Sequence, residues 1–213
     1  MTRPSGGRPS PPGDGQICSL LAVDIAEFTR PDRDDDIRRY LHKGLYEMLA
    51  TGFGQSSLPW EECWHEDRGD GVLVVMPPGI SVKSIIYPLP EQLRTLIRLH
   101  NHVSQYSAKI QLRVAAHIGP VEHDGEGFIG AHVNHLFRLL DARPFKNVVA
   151  ASTAELALIV SDYVFENVVR GYPSLVRPEA FQPMRFQARY TRAKAWAYLP
   201  GLPTLSQDGA AVR

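Results

Sequence analysis

The stretch Ile17 to Val23 (Ile-Cys-Ser-Leu-Leu-Ala-Val) is apolar, contains β-branched residues and has the length of a strand buried on both faces. Such a strand needs apolar partners above and below it, which restricts the chain to a sheet covered by helices. The run closes on Asp24. An acid at the end of a buried strand is badly placed for solvation unless it faces a cleft, where a cation can offset its desolvation.

A second acid cluster sits at a strand reversal. The lead-in Trp60 to Trp64 and the apolar run Val72 to Met76 flank Glu66-Asp67-Arg68-Gly69-Asp70-Gly71. The two glycines favour a tight hairpin, because glycine reaches positive φ without a Cβ penalty. The tip then reads either as a solvated turn, with Asp67 and Arg68 as a mutual or solvated ion pair, or as a site in which Asp70 meets Asp24.

The chain has 213 residues, 44% of them hydrophobic, which fits one domain; by size it buries roughly 70% of its unfolded surface. Lys plus Arg and Asp plus Glu number 23 each. That balance argues against broad electrostatic binding to nucleic acid or to an anionic membrane, though not against a local basic patch. Cys18 and Cys63 lie in apolar, strand-like contexts and suggest neither a disulfide framework nor a zinc cluster. No apolar run approaches the ~20 residues that span a bilayer, and Pro and Gly stand where a signal peptide has its apolar segment. The expectation is a cytoplasmic protein.

Residues 1–15, rich in Pro, Gly and Ser, read as a disordered tail, 16–201 as the ordered domain and 202–213 as a flexible tail. A helix is expected over Ile37 to Ala50, ended by a Gly-rich break at Thr51 to Ser57, and Val82 to Pro90 reads as a connector. Glu91 to Tyr106 is helical and Ile110 to Pro120 is a strand carrying Arg113, either a structural arginine paired to an acid or an anion-binding group. From Ala131 the pattern is helical, with Asn134 and Arg138 four apart on one face. Asparagine competes with a helix backbone, so this pair suggests an inward-facing polar function. His132 and His135 have spacing and company that favour a surface or packing role over zinc. Val148 to Ala151 reads as a short strand, Ser152 to Val160 as a helix and Asp162 to Val169 as another. Phe181 to Arg189 and Lys194 to Leu199 form a closing hairpin. The element order gives an α+β or mixed α/β architecture.

Four motifs occur in order: Ala22-Val23-Asp24-Ile25-Ala26-Glu27-Phe28-Thr29; Arg68-Gly69-Asp70-Gly71; Leu112-Arg113-Val114-Ala115-Ala116-His117-Ile118-Gly119-Pro120-Val121; and Gly130-Ala131-His132-Val133-Asn134-His135-Leu136-Phe137-Arg138-Leu139. Together, over roughly Gln16 to Gly201, they resemble the class III nucleotidyl cyclase catalytic domain. The resemblance implies an α+β, ferredoxin-like sheet covered by helices, with composite active sites in a head-to-tail homodimer. It implies that Asp24, Asp70 and the Ile25 carbonyl bind two divalent cations, Mn2+ or Mg2+. Asn134 is implied to orient the ribose and Arg138 to stabilise the pentavalent phosphate. Phe28 and Thr29 fall in the turn under the triphosphate, and Arg113 matches a phosphate-binding arginine.

The chain also departs from the family. Glu27 stands where glycine usually precedes the Phe-Thr pair; it either points away from the phosphate track or weakens triphosphate binding. Glu66 holds the base-selecting position, while its partner position falls at Gly127, which offers no side chain. The γ-phosphate lysine of the closing strands has no clean match; Arg189 is the candidate for its place. The expectation is a stand-alone domain without sensor or receiver segment, similar to the pyrimidine cyclases of bacterial anti-phage signalling. That likeness implies UTP as substrate, cyclic UMP ahead of cyclic CMP as product, and a downstream effector that senses it. A purine cyclase making cyclic GMP or AMP, and an inactive cyclase-homology module that binds nucleotide or mediates dimerisation, are the alternatives.

Overall fold

The computed structural model describes residues 9–188 and 191–202. Among these, eight strands build one sheet: β1 (Gln16–Ile25), β2 (Trp64–Asp67), β3 (Gly71–Val75), β4 (Leu112–His123), β5 (Phe128–Ile129), β6 (Leu156–Ser161), β7 (Gln182–Ala188) and β8 (Thr191–Tyr198). Their order is β2-β3-β1-β4-β6-β8-β7, with β5 paired to β4 off that path. Only the β4–β6 pair is parallel. The helices are α1 (Asp35–Gln55), α2 (Val82–Ile86), α3 (Leu89–Val103), α4 (Ala131–Leu140), α5 (Arg143–Ala150) and α6 (Asp162–Val164), the last continued by a π-turn over Phe165–Val169. None is long and apolar enough to cross a membrane.

β1 anchors both layers. Leu21, Val23 and Ile25 enter one apolar cluster with Leu41, Leu45 and Leu49 of α1 and with Leu93 and Ile97 of α3. Cys18, Leu20 and Ala22 alternate into a second cluster with Leu136 and Leu139 of α4 and Phe145 of α5. Leu20 and Leu21 are both fully buried, so truncating either to Ala costs about 2–5 kcal/mol through lost transfer energy and the cavity left behind. β1 pairs β3 on one side and β4 on the other, which sets Asp24 opposite Gly71 and opposite Arg113.

Several elements differ from the expectations. α1 does not break at Thr51 but runs to Gln55. A Cβ at Gly52 would lie 2.7 Å from Leu93 Cδ2, so this glycine allows α1 and α3 to approach closely rather than ending the helix. At the other end Asp34 caps α1 by accepting from the Ile37 amide at 2.8 Å, with Asp35 and Asp36 in the first turn. Trp60–Glu62 is a 3-10 turn, and β2 starts only at Trp64. The connector at Val82 holds α2 and the start of α3. Val148 to Ala150 form the last turn of α5, which Pro144 opens, and the strand lies instead at Leu156–Ser161, all but its last residue within the span expected to be helical. Leu156–Ser161 is buried at every position because β4, β8 and both helical layers surround it.

Candidate active site

The centre of the site is a clasp between neighbouring strands. Arg113 Nε donates to Asp24 Oδ1 at 2.7 Å and its terminal nitrogen donates to Oδ2 at 2.8 Å. Asp24 is 7% exposed. Burial pushes its carboxyl up to about 6; the hydrogen bonds and charge of Arg113 pull the other way, and nearby Asp70 pushes it further up. The hairpin tip is sewn to β1 by the Ile25 amide, which donates to the Asp70 carbonyl at 3.0 Å. Gly71 permits this contact: a Cβ there would stand 2.0 Å from the Val23 carbonyl oxygen and 2.9 Å from the Asp24 Cα. Asp70 thus lies near enough to Asp24 for its charge to be felt there.

Two neighbouring carboxylates that repel one another form a donor set of the hard-oxygen kind suited to Mg2+ or Mn2+. Among the described residues no group of three or more His, Cys, Asp or Glu side chains converges to hold a metal. An ionised carboxylate has about four lone-pair positions, so Asp24 keeps acceptor capacity while Arg113 occupies one position on each oxygen. Both forks of Arg113 are committed to Asp24, so the paired reading of this arginine describes the structure, and a phosphate could engage it only by sharing or releasing that contact.

The turn Ala26–Thr29 follows β1 directly. Phe28 packs half-buried against the core, Thr29 is exposed, and Phe28 and Gly69 border one surface pocket, so the turn and the hairpin tip face the same space. Glu27 is exposed and has φ 54, a left-handed conformation that costs a residue with a Cβ about 1–2 kcal/mol. The turn is braced by Arg33, which no signal in the sequence singles out. Arg33 is 2% exposed and donates to the carbonyls of Glu27 (2.9 Å), Ser107 (3.0 Å) and Lys109 (2.8 Å). Its place between Asp32 and Asp34 gives it the look of a surface charge.

The base-reading candidates also meet. Glu66 Oε2 accepts from the Phe128 amide at 3.3 Å, and a Cβ at Gly127 would lie 3.0–3.2 Å from the Glu66 carboxylate. Arg68 is ion-paired to Glu66 and lies over the Phe137 ring of α4, 4.8 Å from its centroid. The expected Asp67–Arg68 pair is absent. Asp67 instead accepts from the Gly69 amide at 2.7 Å and from Tyr46 Oη at 3.2 Å, and sits 2.7 Å from His42 Nε2. Glu66 and Asp67 are neighbours on β2 and point to opposite faces, which separates their partners; Arg68, just past the strand, turns to the Glu66 side.

Asn134 and Arg138 are exposed on α4, a correction to the inward-facing expectation. The buried side of α4 is Val133, Leu136, Leu139 and Leu140, and the pair stands off that side. Neither side chain has a hydrogen-bond or ion-pair partner among the described residues. Arg138 borders a groove of about 610 Å³ together with Arg143 and Arg185, a convergence of cations that their separation in sequence concealed. Arg189 lies outside the described residues. His132 and His135 pack with His117: His117 Nε2 is 2.9 Å from His132 Nδ1, its Nδ1 is 2.8 Å from Ser161 Oγ, and its ring centroid is 4.9 Å from that of His135. Burial, aided by the other two imidazoles, pushes His117 down to about 3.

No protein-family model matches the sequence, and no curated protein does. Solved structures do resemble it. An adenylate/guanylate cyclase/hydrolase from Silicibacter pomeroyi superposes with a TM-score of 0.61 at 18% identity, covering 87% of this chain and 97% of that one. The fold is that of a nucleotidyl cyclase domain. The guanylyl cyclase Cya2 gives 0.59 at 14% identity (87% and 92% covered), and the guanylate cyclase domain of RhGC from Catenaria anguillulae, solved with GTP, gives 0.54 at 13% (86% and 96%). On this cyclase fold Asp24 and the Asp70–Gly71 hairpin end lie at the β1–β3 pair, and Asn134 and Arg138 sit on the solvent side of α4.

Proposed function

We propose that the protein is a nucleotidyl cyclase that converts a nucleoside triphosphate to its 3′,5′-cyclic monophosphate and pyrophosphate. The observation that supports this reading best is the β1–β3 register on a cyclase fold: it pairs Asp24 with Gly71, the neighbour of Asp70, whose carbonyl accepts from the Ile25 amide. Asp24, Asp70 and the Ile25 carbonyl would hold two divalent cations, Mn2+ or Mg2+. Bound there, the cations lower the pKa of the ribose 3′-hydroxyl and offset the triphosphate charge. Asn134 orients the ribose and Arg138 neutralises charge developing on the α-phosphorus. Amides of the Ala26–Thr29 turn, with Phe28 and Thr29, support the triphosphate, and Arg113 assists once its contact with Asp24 is shared. Arg185, which borders the same groove as Arg138, joins Arg189 as a candidate for the outer phosphates.

Asn134 and Arg138 face solvent without hydrogen-bond or ion-pair partners among the described residues, which supports a head-to-tail homodimer in which one subunit's aspartates meet the other's α4. UTP is the favoured substrate and CTP the next, because Glu66 faces Gly127 where a purine pocket has a second polar side chain. The cyclic pyrimidine would serve a nucleotide-sensing effector in the cytoplasm, in phage defence, as the resemblance to the pyrimidine cyclases implies. A purine cyclase is the alternative substrate reading. A nucleotide-binding module without activity is favoured by one feature, Glu27 in a left-handed turn beside the phosphate track.

Incubating the purified protein with ATP, GTP, CTP and UTP and Mn2+, and resolving products by chromatography, tests all of these. A cyclic pyrimidine is expected. No cyclic product from any of the four overturns the enzyme reading, and a dominant cyclic purine overturns the substrate choice.

A further inference from the structure

The surroundings of Glu66 contain more than a single carboxylate. Glu66 is held from three elements: by Arg68 beyond the end of its own strand, by the Phe128 amide of β5 at 3.3 Å, and, through the Arg68 guanidinium, by the Phe137 ring of α4. Its side chain is 22% exposed and that of Arg68 is 40% exposed, so both reach the surface while fixed in place. The backbone at Gly127 closes against the carboxylate, and any side chain there would crowd it, since a Cβ would lie 3.0–3.2 Å away. The second base-contacting group therefore has to come from elsewhere.

We infer that Arg68 supplies it, so that Glu66 and Arg68 read the nucleobase as a pair, and that the edge they select is an N–H beside a carbonyl, as in uracil and guanine. This rests on the proposed nucleotide-binding function and narrows it. A lone carboxylate accepts only, and its best match is a base edge with adjacent donors. Adding a guanidinium, which donates only, changes the requirement. Glu66 takes the ring N–H, and the Arg68 N–H groups not spent on Glu66 take the neighbouring carbonyl oxygen. That oxygen offers two lone pairs to a forked donor, whereas the ring nitrogen of cytosine or adenine offers one. With Arg68 absent, the same carbonyl oxygen would face the Glu66 carboxylate unopposed. The contact with the Phe137 ring holds the guanidinium in place and limits the freedom it loses on binding.

The test is equilibrium binding of the 3′-deoxy analogues of UTP, GTP, CTP and ATP, which lack the attacking hydroxyl, to the full chain with Mn2+. For the wild-type protein the uridine analogue, the guanosine analogue or both bind about tenfold or more tighter than the cytidine and adenosine analogues, the scale of one good base-edge pairing. Comparison of the first two identifies which carbonyl-bearing base fits. In Arg68→Met this preference collapses to about twofold through weaker uridine or guanosine binding, while pyrophosphate affinity stays unchanged. Arg68→Lys, which retains the charge and a donor, keeps part of it, and stands in if the Met variant does not fold. Preference for cytidine or adenosine, survival of the preference in Arg68→Met, or equal weakening of all four analogues overturns the inference. Binding of none of them overturns it together with the functional reading. The expected preference without cyclic product from the natural triphosphates overturns only the cyclase activity.

Discussion

Arg113 closes both of its forks on Asp24, 2.7 and 2.8 Å away, from the residue directly opposite in the neighbouring strand. The carboxylate is buried, and the guanidinium is its counter-charge. Removing one partner of such a pair costs about 3–5 kcal/mol, because the other is left charged and unpaired.

Arg113→Met is therefore expected to destabilise the protein by about that amount at pH 8 and by less at pH 5. Without the guanidinium, the carboxyl that already titrates at about 6 rises further. An acid with a raised folded-state pKa takes its proton first in the folded protein. The stability this confers is greatest at low pH and is lost as the pH rises through that pKa. Urea denaturation at the two pH values checks the trend, and the double variant Asp24→Asn/Arg113→Met recovers most of the loss. A pH-independent loss contradicts the assignment.

Two glycines of the hairpin respond differently to alanine. At Gly71 the new Cβ meets backbone, 2.0 Å from the Val23 carbonyl oxygen, so Gly71→Ala forces β3 away from β1 and costs about 3 kcal/mol or more. At Gly69, with φ 82, nothing lies within 4 Å of the added atom. Gly69→Ala pays only the left-handed backbone cost of about 1–2 kcal/mol. Thermal unfolding of both variants ranks them, and equal losses refute the close crossing.

His117 makes the fold acid-sensitive. Its folded-state pKa of about 3 lies far below the ordinary 6.5 of the unfolded chain. Between those values the unfolded chain binds a proton that the folded protein refuses, so stability is complete above pH 6.5 and falls as the pH drops toward 3. The slope approaches about 1.4 kcal/mol per pH unit for this residue. His65, pushed down to about 4 by burial, adds to it in the same direction. Denaturation midpoints from pH 7 to 4.5 should show the decline, and His117→Gln should flatten it.

The shared-site arrangement predicts complementation. Asp24→Ala and Asn134→Ala proteins are each inactive alone, yet a mixture regains partial turnover, at most about a quarter of wild type, because exchanged subunits rebuild one intact site in the heterodimer. Asp70→Ala abolishes turnover while the melting curve and the dimer survive. Failure of the mixture to recover activity, with heterodimers shown by mass spectrometry, counts against the arrangement.

Glu27→Gly removes an exposed anion and a strained φ 54 together. Relief of about 1–2 kcal/mol is offset by the greater backbone entropy of glycine, so the melting temperature barely moves. If this carboxylate opposes the triphosphate, KM falls several-fold. An unchanged KM shows that it points away.

The parts of the fold legible in the sequence are those where one physical signal dominates. β1 shows itself because both of its faces are apolar, and Asp24 because an acid closing a buried strand is costly unless a cation or a cleft faces it. Asp70 is marked by the glycines on either side of it, which place it at a hairpin tip. β6 is not legible: five apolar residues from Leu156 to Val160 suit a buried helix as well as a buried strand, and only pairing with β4 decides. β-branched Val148 and Val149 suggested a strand, but Pro144 at the start of α5 and packing of Phe145 and Val149 into the second cluster prevail. At the site, the two readings of Arg113 are separated only by strand register. The orientation of Asn134 and Arg138 depends on which side α4 turns to the sheet. Glu66 and Asp67 part company by strand alternation once the extent of β2 is known, whereas the pairing of Arg68, beyond the strand's end, has no such signal.

Arg33 has one further consequence. By donating to carbonyls of the turn after β1 and of the segment between α3 and β4, this single side chain splints two connections that are far apart in sequence. The loop beneath the proposed triphosphate is then a fixed ledge and not a flap. Lysine, with one compact ammonium in place of a planar fork, could not span the same oxygens.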